Sequence, residues 1–422
     1  MTQTGPVQAG PVRTSLVIVS RHRPAALARC LAAVAQLDHA AFELIVVADP
    51  TALAAVTLPA KTLAFDLPNI SAARNAGLAL AAGEVVAFLD DDAVPEPSWL
   101  RHLTAPFANP KVVAAGGFVR GRNGISFQWK ASQTNSLGET TPLKVDEVSP
   151  SLHPAQPGHA VRTEGTNCAF RIDELAAIGG FDPAFRFYLD ETDVNMRLAR
   201  SGYLTAIVPL AQVAHGFAAS ARRHADRAPK TLFDIGASSA VFWRKHADPA
   251  EEPAARARLI AAQRARLLRH MVTGTLEPRD VPRLLATLEA GLIEGASRGL
   301  GHLSPLHHKP PPFLPFPSRK RPGKVLAGRP WQARRLREKA RHAVAEGAVV
   351  TLFLFSPGLR RHQHRFDAAG YWEQRGGLWG RARRDTPAPF GGFTARLAAE
   401  CRRIAILRPV AAPDPAPGDQ DH

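Results

Sequence analysis

Three consecutive aspartates, Asp90, Asp91 and Asp92, are the residues of this sequence whose types and spacing most clearly suggest chemistry. They follow the apolar run VVAFL and precede the proline-broken loop AVPEP. Adjacent carboxylates repel one another, and a divalent cation relieves that repulsion best. Hard oxygen ligands suit Mg²⁺ or Mn²⁺. Two interpretations stay open: a metal site, or a solvated acidic turn of the kind that aspartates form after strands.

The elements around the triplet predict an α/β domain with a mostly parallel sheet. Strands are predicted at 15–19, 42–49, 63–68 and 84–90, with helices at 25–37 and 69–83. In such sheets ligands bind beyond the carboxyl ends of the strands, where the triplet and Asp49 both lie. Arg74, in ISAARNAG at a helix start, is either a phosphate ligand or a surface arginine paired with a carboxylate.

The pattern beyond residue 110 is less regular. A glycine-broken strand is predicted at 112–121, a loop at 136–160, and a strand followed by a short helix within 161–181. A helix at 190–200, closed by a glycine, and a strand within 204–216 complete the domain.

Three stretches together resemble the nucleotide-binding half of glycosyltransferase family 2: SLVIVSRHRPAALARCLAAV, FELIVVADP and ISAARNAGLALAAGEVVAFLDDDAVPEPSWL. The resemblance covers residues 14–245 and implies the GT-A (nucleotide-diphospho-sugar transferase) fold, with a mixed, mostly parallel sheet. It also implies an inverting transfer of a sugar from a nucleoside-diphosphate sugar to a glycan or lipid-linked acceptor, with Mn²⁺ or Mg²⁺ as cofactor. Such an enzyme would serve bacterial cell-surface polysaccharide synthesis.

The resemblance implies roles for individual residues in this half. Asp49 matches the acidic position that reads the nucleobase, although the family often has two acids there. Arg74 is expected near the nucleotide. Within the DxD-type motif formed by Asp90, Asp91 and Asp92, the second aspartate would face the ribose and diphosphate. The third would be the main metal ligand.

Sugar transfer also needs a base that takes the proton of the acceptor hydroxyl. The segment FRFYLDETDVNMRLARSGY resembles the acidic helix start at which the family carries that base. Glu191 falls at the base position, and Asp190 is a rival because aspartate is commoner there. Asp193 is a candidate substrate-binding residue, but its spacing from Asp190 and Arg197 favours a helix cap and a helix ion pair.

Four further residues are candidates through the same resemblance. Asn167, in GTNCAFR, either touches donor sugar or acceptor, or stabilises a loop. His215 follows a strand, where a family histidine approaches the metal or diphosphate; the alternative is a structural histidine. Arg222 and Arg223 are expected to cover the diphosphate.

The composition and net charge of the chain limit the kind of protein and the kind of partner that are expected. The chain has 422 residues, of which 45% are hydrophobic and 21% charged, as in globular proteins. A net charge of +16 implies an anionic partner, namely a nucleotide, an anionic lipid surface or nucleic acid. No zinc-type spacing or aromatic RNA-binding signature is present, so nucleic acid is not expected. Three distant cysteines, no signal-peptide core and no 20-residue apolar run predict a cytoplasmic protein, peripheral at most to the inner face of the membrane.

The chain is expected to divide into six parts. These are a disordered N-terminus (1–13), the GT-A domain (14–245), a helical extension (246–300), a proline-rich basic linker (301–328), a basic helix with a small module (329–410), and a disordered tail (411–422). The basic helix either lies on anionic lipid or is simply a solvated face. The aromatic stretch GYWEQRGGLWGR either stacks on carbohydrate or packs as a small core.

A different class of function also fits the sequence. The single acid at Asp49 and the glutamate at 191 depart from the family pattern. A non-catalytic scaffold or binding module in a polysaccharide assembly complex is therefore the alternative to an enzyme.

Overall fold

The computed structural model describes residues 11–216, 222–224, 226–383 and 391–411. The predicted disorder of 1–13 and of 411–422 falls almost entirely on residues outside these ranges. Among the described helices, none has the combination of length and hydrophobicity needed to cross a bilayer.

A ten-stranded mixed sheet forms the centre of the N-terminal part. Its strands are β1 (Thr14–Ser20), β2 (Phe42–Ala48), β3 (Lys61–Ala64), β4 (Val85–Asp90), β5 (Ala93–Pro95), β6 (Val112–Arg120), β7 (Phe127–Trp129), β10 (Ser151–Pro154), β12 (Asn167–Arg171) and β13 (Leu204–His215). A second, three-stranded sheet contains β8 (Ser132–Asn135), β9 (Thr140–Pro142) and β11 (His159–Arg162). The segment 136–160, predicted as loop, therefore contributes short strands to both sheets.

The helices of this part are α1 (Pro24–Val34), α2 (Pro50–Leu53), α3 (Ile70–Leu78), α4 (Trp99–Thr104), α5 (Ile172–Ala177) and α6 (Asp190–Ala199). The main strand order is β10-β13-β6-β12-β4-β1-β2-β3, with β5 on β13 and β7 on β6. Four of the seven neighbouring pairs along this order are parallel. The predicted α/β class with a mixed, mostly parallel sheet is confirmed.

Alternating residues of the buried strands face opposite sides of the sheet. Leu16 and Ile18 of β1 pack with α1 and α4 on one side, whereas Val17 packs with α3, α5 and α6 on the other. Because both faces are covered, β1, β2 and β4 are almost continuously apolar. Buried strands of this kind give a rigid platform for the loops at their carboxyl ends.

A helical layer follows the sheet. It contains α7 (Phe233–His246), α8 (Glu252–Val272) and α9 (Asp280–Ser297), which share one apolar core with Phe185, Leu189 and Met196. The expected boundary at 245/246 falls at the end of α7, a helix that the sequence did not reveal. This layer covers the segment that leads into α6.

The C-terminal part forms a small α/β unit. Its sheet has the order β14-β15-β17-β16, from the strands β14 (Gly323–Gly328), β15 (Val349–Ser356), β16 (Gln363–Phe366) and β17 (Trp372–Gly377). One face packs against α10 (Ala333–Ala345) and the other against α11 (Phe393–Ile404). We call this unit, residues 323–383 and 391–411, the C-terminal module. The strand β14 begins inside the predicted linker 301–328.

The proline-rich residues ahead of the module adopt neither helix nor strand, yet they pack on the first sheet. The ring of Phe316 stacks on Phe42 with the centroids 4.7 Å apart, and its backbone N–H donates to the Phe42 carbonyl. The Leu314 N–H donates to the buried Glu43 carboxylate at 2.9 Å. This segment is a strap along β2 rather than a free tether.

Candidate active site

The first acidic cluster forms where β4 and β13 end. Asp90 closes β4, and pairing of Ala93 with His215 brings the end of β13 beside the acidic turn. The Nε2 atom of His215 lies 3.1 Å from Oδ1 of Asp92 and 4.0 Å from Oδ2 of Asp90. One ligand atom from each of the three residues lies within 4.8 Å of the others. Two carboxylates and an imidazole are a donor set that fits Mn²⁺ or Mg²⁺.

The middle aspartate faces a different set of groups. Asp91 is fully buried, accepts a hydrogen bond from the Ser20 hydroxyl at 2.6 Å and pairs with the Arg23 guanidinium. Burial raises its pKa to about 7, against the opposing effect of Arg23. The side chain ties the acidic turn to the loop between β1 and α1.

Two arginines approach the outer carboxylate oxygen of the cluster. Nη1 of Arg23 and Nη2 of Arg223 each lie 3.4 Å from Oδ2 of Asp92. Arg223 was predicted near the diphosphate, and it lies at this edge of the cluster. Arg222 instead pairs with Asp234 at 2.5 Å.

Arg74 connects the first acidic cluster to the second. Its guanidinium pairs with Asp190 at the start of α6, lies 3.5 Å from Asp90, and donates to the Gly165 carbonyl at 3.0 Å. Although burial opposes it, Asp190 and Asp90 raise the pKa of this arginine. Burial raises the pKa of Asp190, Arg74 acts in the opposite direction, and the adjacent Glu191 adds to the rise. A Cβ on Gly165 would lie 2.6 Å from Nη2 of Arg74, so the glycine makes room for it.

Glu191 faces a second buried carboxylate across an arginine. Nη2 of Arg162, on β11, lies 3.6 Å from Oε1 of Glu191 and 3.4 Å from Oε2 of Glu164. Burial raises the pKa of Glu164 to about 7, with Arg162 opposing and Glu191 adding to the rise. The chain enters α6 through Tyr188 and Leu189 with φ of 74° and 64°. Such backbone is strained for non-glycine residues and is held here by the surrounding core.

Asp49 has a local structural task. It caps α2, with Oδ1 accepting from the backbone N–H groups of Thr51 and Ala52 and Oδ2 accepting from His22 at 2.6 Å. Burial acts to raise the pKa of Asp49, but the backbone donors outweigh burial and lower it. His22 takes a φ of 55° to make the contact. The carboxylate shapes the loop beside the triplet, and its predicted contact with a nucleobase stays a prediction.

Asp193 and Asn167 lie in the interior, and their contacts favour the structural alternatives. Asp193 pairs with Arg197 at 2.7 Å, with Lys245 at 2.7 Å and with His246 at 2.9 Å. Burial acts to raise the pKa of Asp193, but these three partners together lower it.

Asn167 joins three elements. Its Oδ1 accepts from the indole of Trp99 at 2.7 Å, and its Nδ2 donates to the carbonyls of Phe118 and Ala211 at 3.1 and 2.8 Å. Both polar atoms are used within the protein, so this amide holds β12 against β6 and β13.

Three residues of the site were missed by sequence reasoning: Arg23, Arg162 and Glu164. Arg23 has a recognisable signal, because it lies between the carboxyl end of β1 and a helix beginning with proline. Arg162 and Glu164 lie a few residues before Asn167, but their convergence on Glu191 depends on pairing between β11 and β8. That pairing could not be read from the irregular stretch before it.

Part of the N-terminal region is similar to a known protein family. Residues 15–168 match the model of glycosyl transferase family 2. The match covers less than half of the chain. The matched segment includes Asp49, Arg74, the triplet and Asn167. Asp190, Glu191 and His215 lie outside it. The fold brings His215 to the triplet and connects Asp190 to Asp90 through Arg74.

Two curated relatives match over a shorter range. A pre-mycofactocin glycosyltransferase of Mycobacterium tuberculosis (strain H37Rv) is 27% identical over 182 residues, which is 42% of this chain and 36% of that protein. A glucosyl-dolichyl phosphate glucuronosyltransferase of Haloferax volcanii is 34% identical over 117 residues, 27% of this chain and 34% of that protein. The matches span about a third of the length of either relative.

Two solved structures are also similar to this chain. GalNAc-T7 with UDP, GalNAc and Mn²⁺ has a TM-score of 0.43 at 17% identity, over 58% of this chain and 51% of that one. The mannosyltransferase PcManGT of Pyrobaculum calidifontis with GDP-Man and Mn²⁺ has a TM-score of 0.40 at 17% identity, over 69% and 90%.

Proposed function

We propose that the chain is an inverting glycosyltransferase that moves a sugar from a nucleoside-diphosphate sugar to a hydroxyl of a glycan or lipid-linked acceptor. The observation that carries this proposal is the double pairing of Arg74 with Asp90 and Asp190. It sets a metal-type cluster and a base-type cluster on two sides of one guanidinium. The family 2 match of the N-terminal segment supports the reaction class.

The donor side rests on Asp90, Asp92 and His215. These three would hold Mn²⁺ or Mg²⁺, because their ligand atoms converge within 4.8 Å and match the preferences of such ions. When bound there, the cation would neutralise the diphosphate of the donor and favour its departure. Arg23 and Arg223 lie at the same edge and would add positive charge for the same purpose.

The acceptor side rests on Glu191. Its contact with Arg162 is long, at 3.6 Å, whereas Asp190 is engaged by Arg74. Glu191 is therefore the better candidate to take the proton of the acceptor hydroxyl, with Asp190 as the rival. The hydroxyl oxygen attacks the anomeric carbon, and the bond to the diphosphate oxygen breaks with its electron pair. A single displacement inverts that carbon.

Four further residues and the acceptor complete the proposal. Asp49 and Asp91 would contribute to nucleotide binding through the loops that they shape. Asn167 and Asp193 would affect substrate binding through their position behind the site. The acceptor would belong to bacterial cell-surface polysaccharide synthesis, with the enzyme on the cytoplasmic side.

A partner surface for this enzyme is an anionic membrane, bound through the C-terminal module. Trp331 and Leu359, each 73% exposed, follow β14 and β15 at the carboxyl edge of the small sheet, with the half-exposed Trp379 after β17. From 329 to 361 the chain has eight lysines or arginines and two glutamates. Exposed apolar side chains beside cationic ones favour an interfacial position.

Binding to vesicles of neutral lipid with and without anionic phosphatidylglycerol tests this surface. Trp331→Ser with Leu359→Ser is expected to reduce binding to anionic vesicles, whereas Val272→Ser, also highly exposed but on α8, is not. Equal binding to anionic vesicles by the Trp331→Ser/Leu359→Ser variant and by Val272→Ser would contradict the proposed membrane surface.

The enzymatic proposal is tested by following nucleoside-diphosphate release from a panel of nucleotide sugars with Mn²⁺ and a bacterial lipid extract. Asp92→Asn and Glu191→Gln are each expected to lower turnover by about 100-fold or more while the chain stays folded. Asp280→Asn is the control, because this aspartate lies at the start of α9 and pairs with Arg283 rather than with either acidic cluster. Full activity in either site variant would remove the role assigned to it, and no turnover of any donor would favour the scaffold alternative.

A further inference from the structure

The C-terminal module contacts the strand that follows the metal-type cluster, at the far end of β5. Only three residues, Ala93–Pro95, separate Asp92 from Glu96. Glu96 is buried, and its Oε1 lies 2.6 Å from Nη2 of Arg408. The guanidinium of Arg408 in turn lies 3.8 Å from the centroid of the Trp372 ring on β17. A buried, stacked ion pair therefore joins the strand after the acidic turn to the module.

Backbone contacts fix the same junction. The Leu407 carbonyl accepts from both the N–H and the hydroxyl of Ser98, at 3.2 and 2.8 Å. The Glu96 N–H donates to the carbonyl of Gln212 on β13, the strand that ends in His215. The end of β5 is thus held from the module on one side and from the histidine-bearing strand on the other.

The module also contacts the helix that follows Arg23. Ala33 of α1 and Val94 of β5 share one small core with Phe366 and Trp372. The side chain of Gln36, two residues past the end of α1, donates to the Gly370 carbonyl at 2.6 Å. Two elements border the acidic triplet: β5, which follows it, and α1, which begins after Arg23. Both therefore contact the module.

We propose that Arg408 and Trp372 are positioning residues for the metal site. They hold β5 so that Asp92 faces His215, and the C-terminal module is a clamp for the metal-binding turn. The inference rests on the proposed function only in taking Asp90, Asp92 and His215 as metal ligands. Removing only one partner of a buried ion pair is strongly destabilising, because the other charge stays buried without its counter-charge.

The test compares two double variants of the full chain. Glu96→Gln with Arg408→Met removes both charges of the clamp while keeping their approximate volume. Arg396→Met with Glu400→Gln removes an equally buried pair, 2.9 Å apart, that lies within α11 and does not touch β5. Arg408→Lys keeps the charge but loses the planar stacking on Trp372. It should therefore retain part of the Mn²⁺ binding that the Glu96→Gln/Arg408→Met variant loses.

Two readouts are measured on each variant. Binding of Mn²⁺ alone is followed by the electron paramagnetic resonance signal of the free ion, and hydrogen exchange is followed for the peptide covering 89–98. The clamp variant is expected to bind Mn²⁺ about 10-fold more weakly or worse and to exchange faster at 89–98, as for changes behind metal ligands. The α11 variant should leave both unchanged.

Three results would overturn the inference. Unchanged Mn²⁺ binding by a folded clamp variant would show that the module does not position the turn. Equal weakening by both double variants would reduce the effect to general loss of stability. No Mn²⁺ binding by the unaltered chain would remove both the clamp and the proposed metal site, whereas the first two results leave the glycosyltransferase proposal standing.

Discussion

Arg74 is the residue on which the two acidic clusters depend, and its partner Asp190 gives the clearest stability prediction. Both side chains are almost fully buried and paired. Asp190→Asn leaves the guanidinium buried without its closest counter-charge, so we expect the free energy of unfolding to fall by about 3–5 kcal/mol. Glu191→Gln, whose ion pair with Arg162 is 3.6 Å long, should cost far less. Urea unfolding of the two variants measures the difference, and equal losses would contradict the assigned pairing.

Glu164 predicts a pH dependence of stability. Burial raises its pKa to about 7 in the folded chain, whereas an unfolded glutamate titrates near about 4.3. The folded state therefore holds this proton more tightly, and its contribution to the free energy of unfolding falls as pH rises from about 4.3 to 7. Glu164→Gln should reduce the fall in melting temperature across this range, and the exposed Glu346→Gln should not. Parallel curves for the wild type and Glu164→Gln would contradict the shift.

The location of a single residue can be predicted where its position in the chain fixes its position in space, whereas the metal-binding role of the acidic triplet stays a prediction. Asp90 and Asp92 were expected as part of a metal motif because they end a buried strand, and the fold brings His215 to them. The sequence could not reveal that Asp91 would face Ser20 and Arg23. The alternation of side chains at a strand end depends on where the strand stops, which differs by a residue or two between equally plausible readings.

At the level of elements, the close crossing of α7 and α9 makes a sharp prediction. A Cβ on Gly291 would lie 2.0 Å from the Phe233 carbonyl, so this helix pair packs backbone against backbone. Gly291→Ala should therefore lower the free energy of unfolding by about 1–3 kcal/mol through overpacking, although alanine favours helix. Gly299→Ala, with no atom within 4 Å of the new Cβ, is the control. Thermal unfolding measures the stability of both variants. A Gly291→Ala variant more stable than the wild type would contradict the close packing of α7 against α9.

Elements with a strong local pattern were predictable, and those defined by partners were not. The strands β1, β2 and β4 match their predicted ranges closely, and the helices α8 and α9 lie within the predicted helical extension 246–300. The helix α7 was missed because its contacts with α9 run through small residues that carry no apolar periodicity. The strand β14 was hidden in a proline-rich basic stretch, and only its parallel pairing with β15 makes it a strand.

The whole molecule combines a segment that matches the family 2 model with parts that no sequence motif predicted. The aromatic stretch 370–381 was read as either a carbohydrate-stacking surface or a small core, and the structure buries Tyr371 and Trp372 while leaving Trp379 half-exposed. The C-terminal module carries Arg408 and Trp372, the two residues that we propose to position β5. Long-range docking of this kind depends on three-dimensional complementarity between distant segments, which periodicity and composition do not encode.

The measurement that tests the central proposal most directly is the melting temperature of the whole chain with UDP, GDP, dTDP or CDP, each with and without Mn²⁺. A ligand that binds only the folded state raises the melting temperature. We expect one nucleotide to raise it only in the presence of Mn²⁺, and Asp92→Asn to abolish that rise while Asp280→Asn retains it. No shift with any nucleotide and metal pair, or a full shift in Asp92→Asn, would contradict a metal-dependent nucleotide-sugar site at the end of β4.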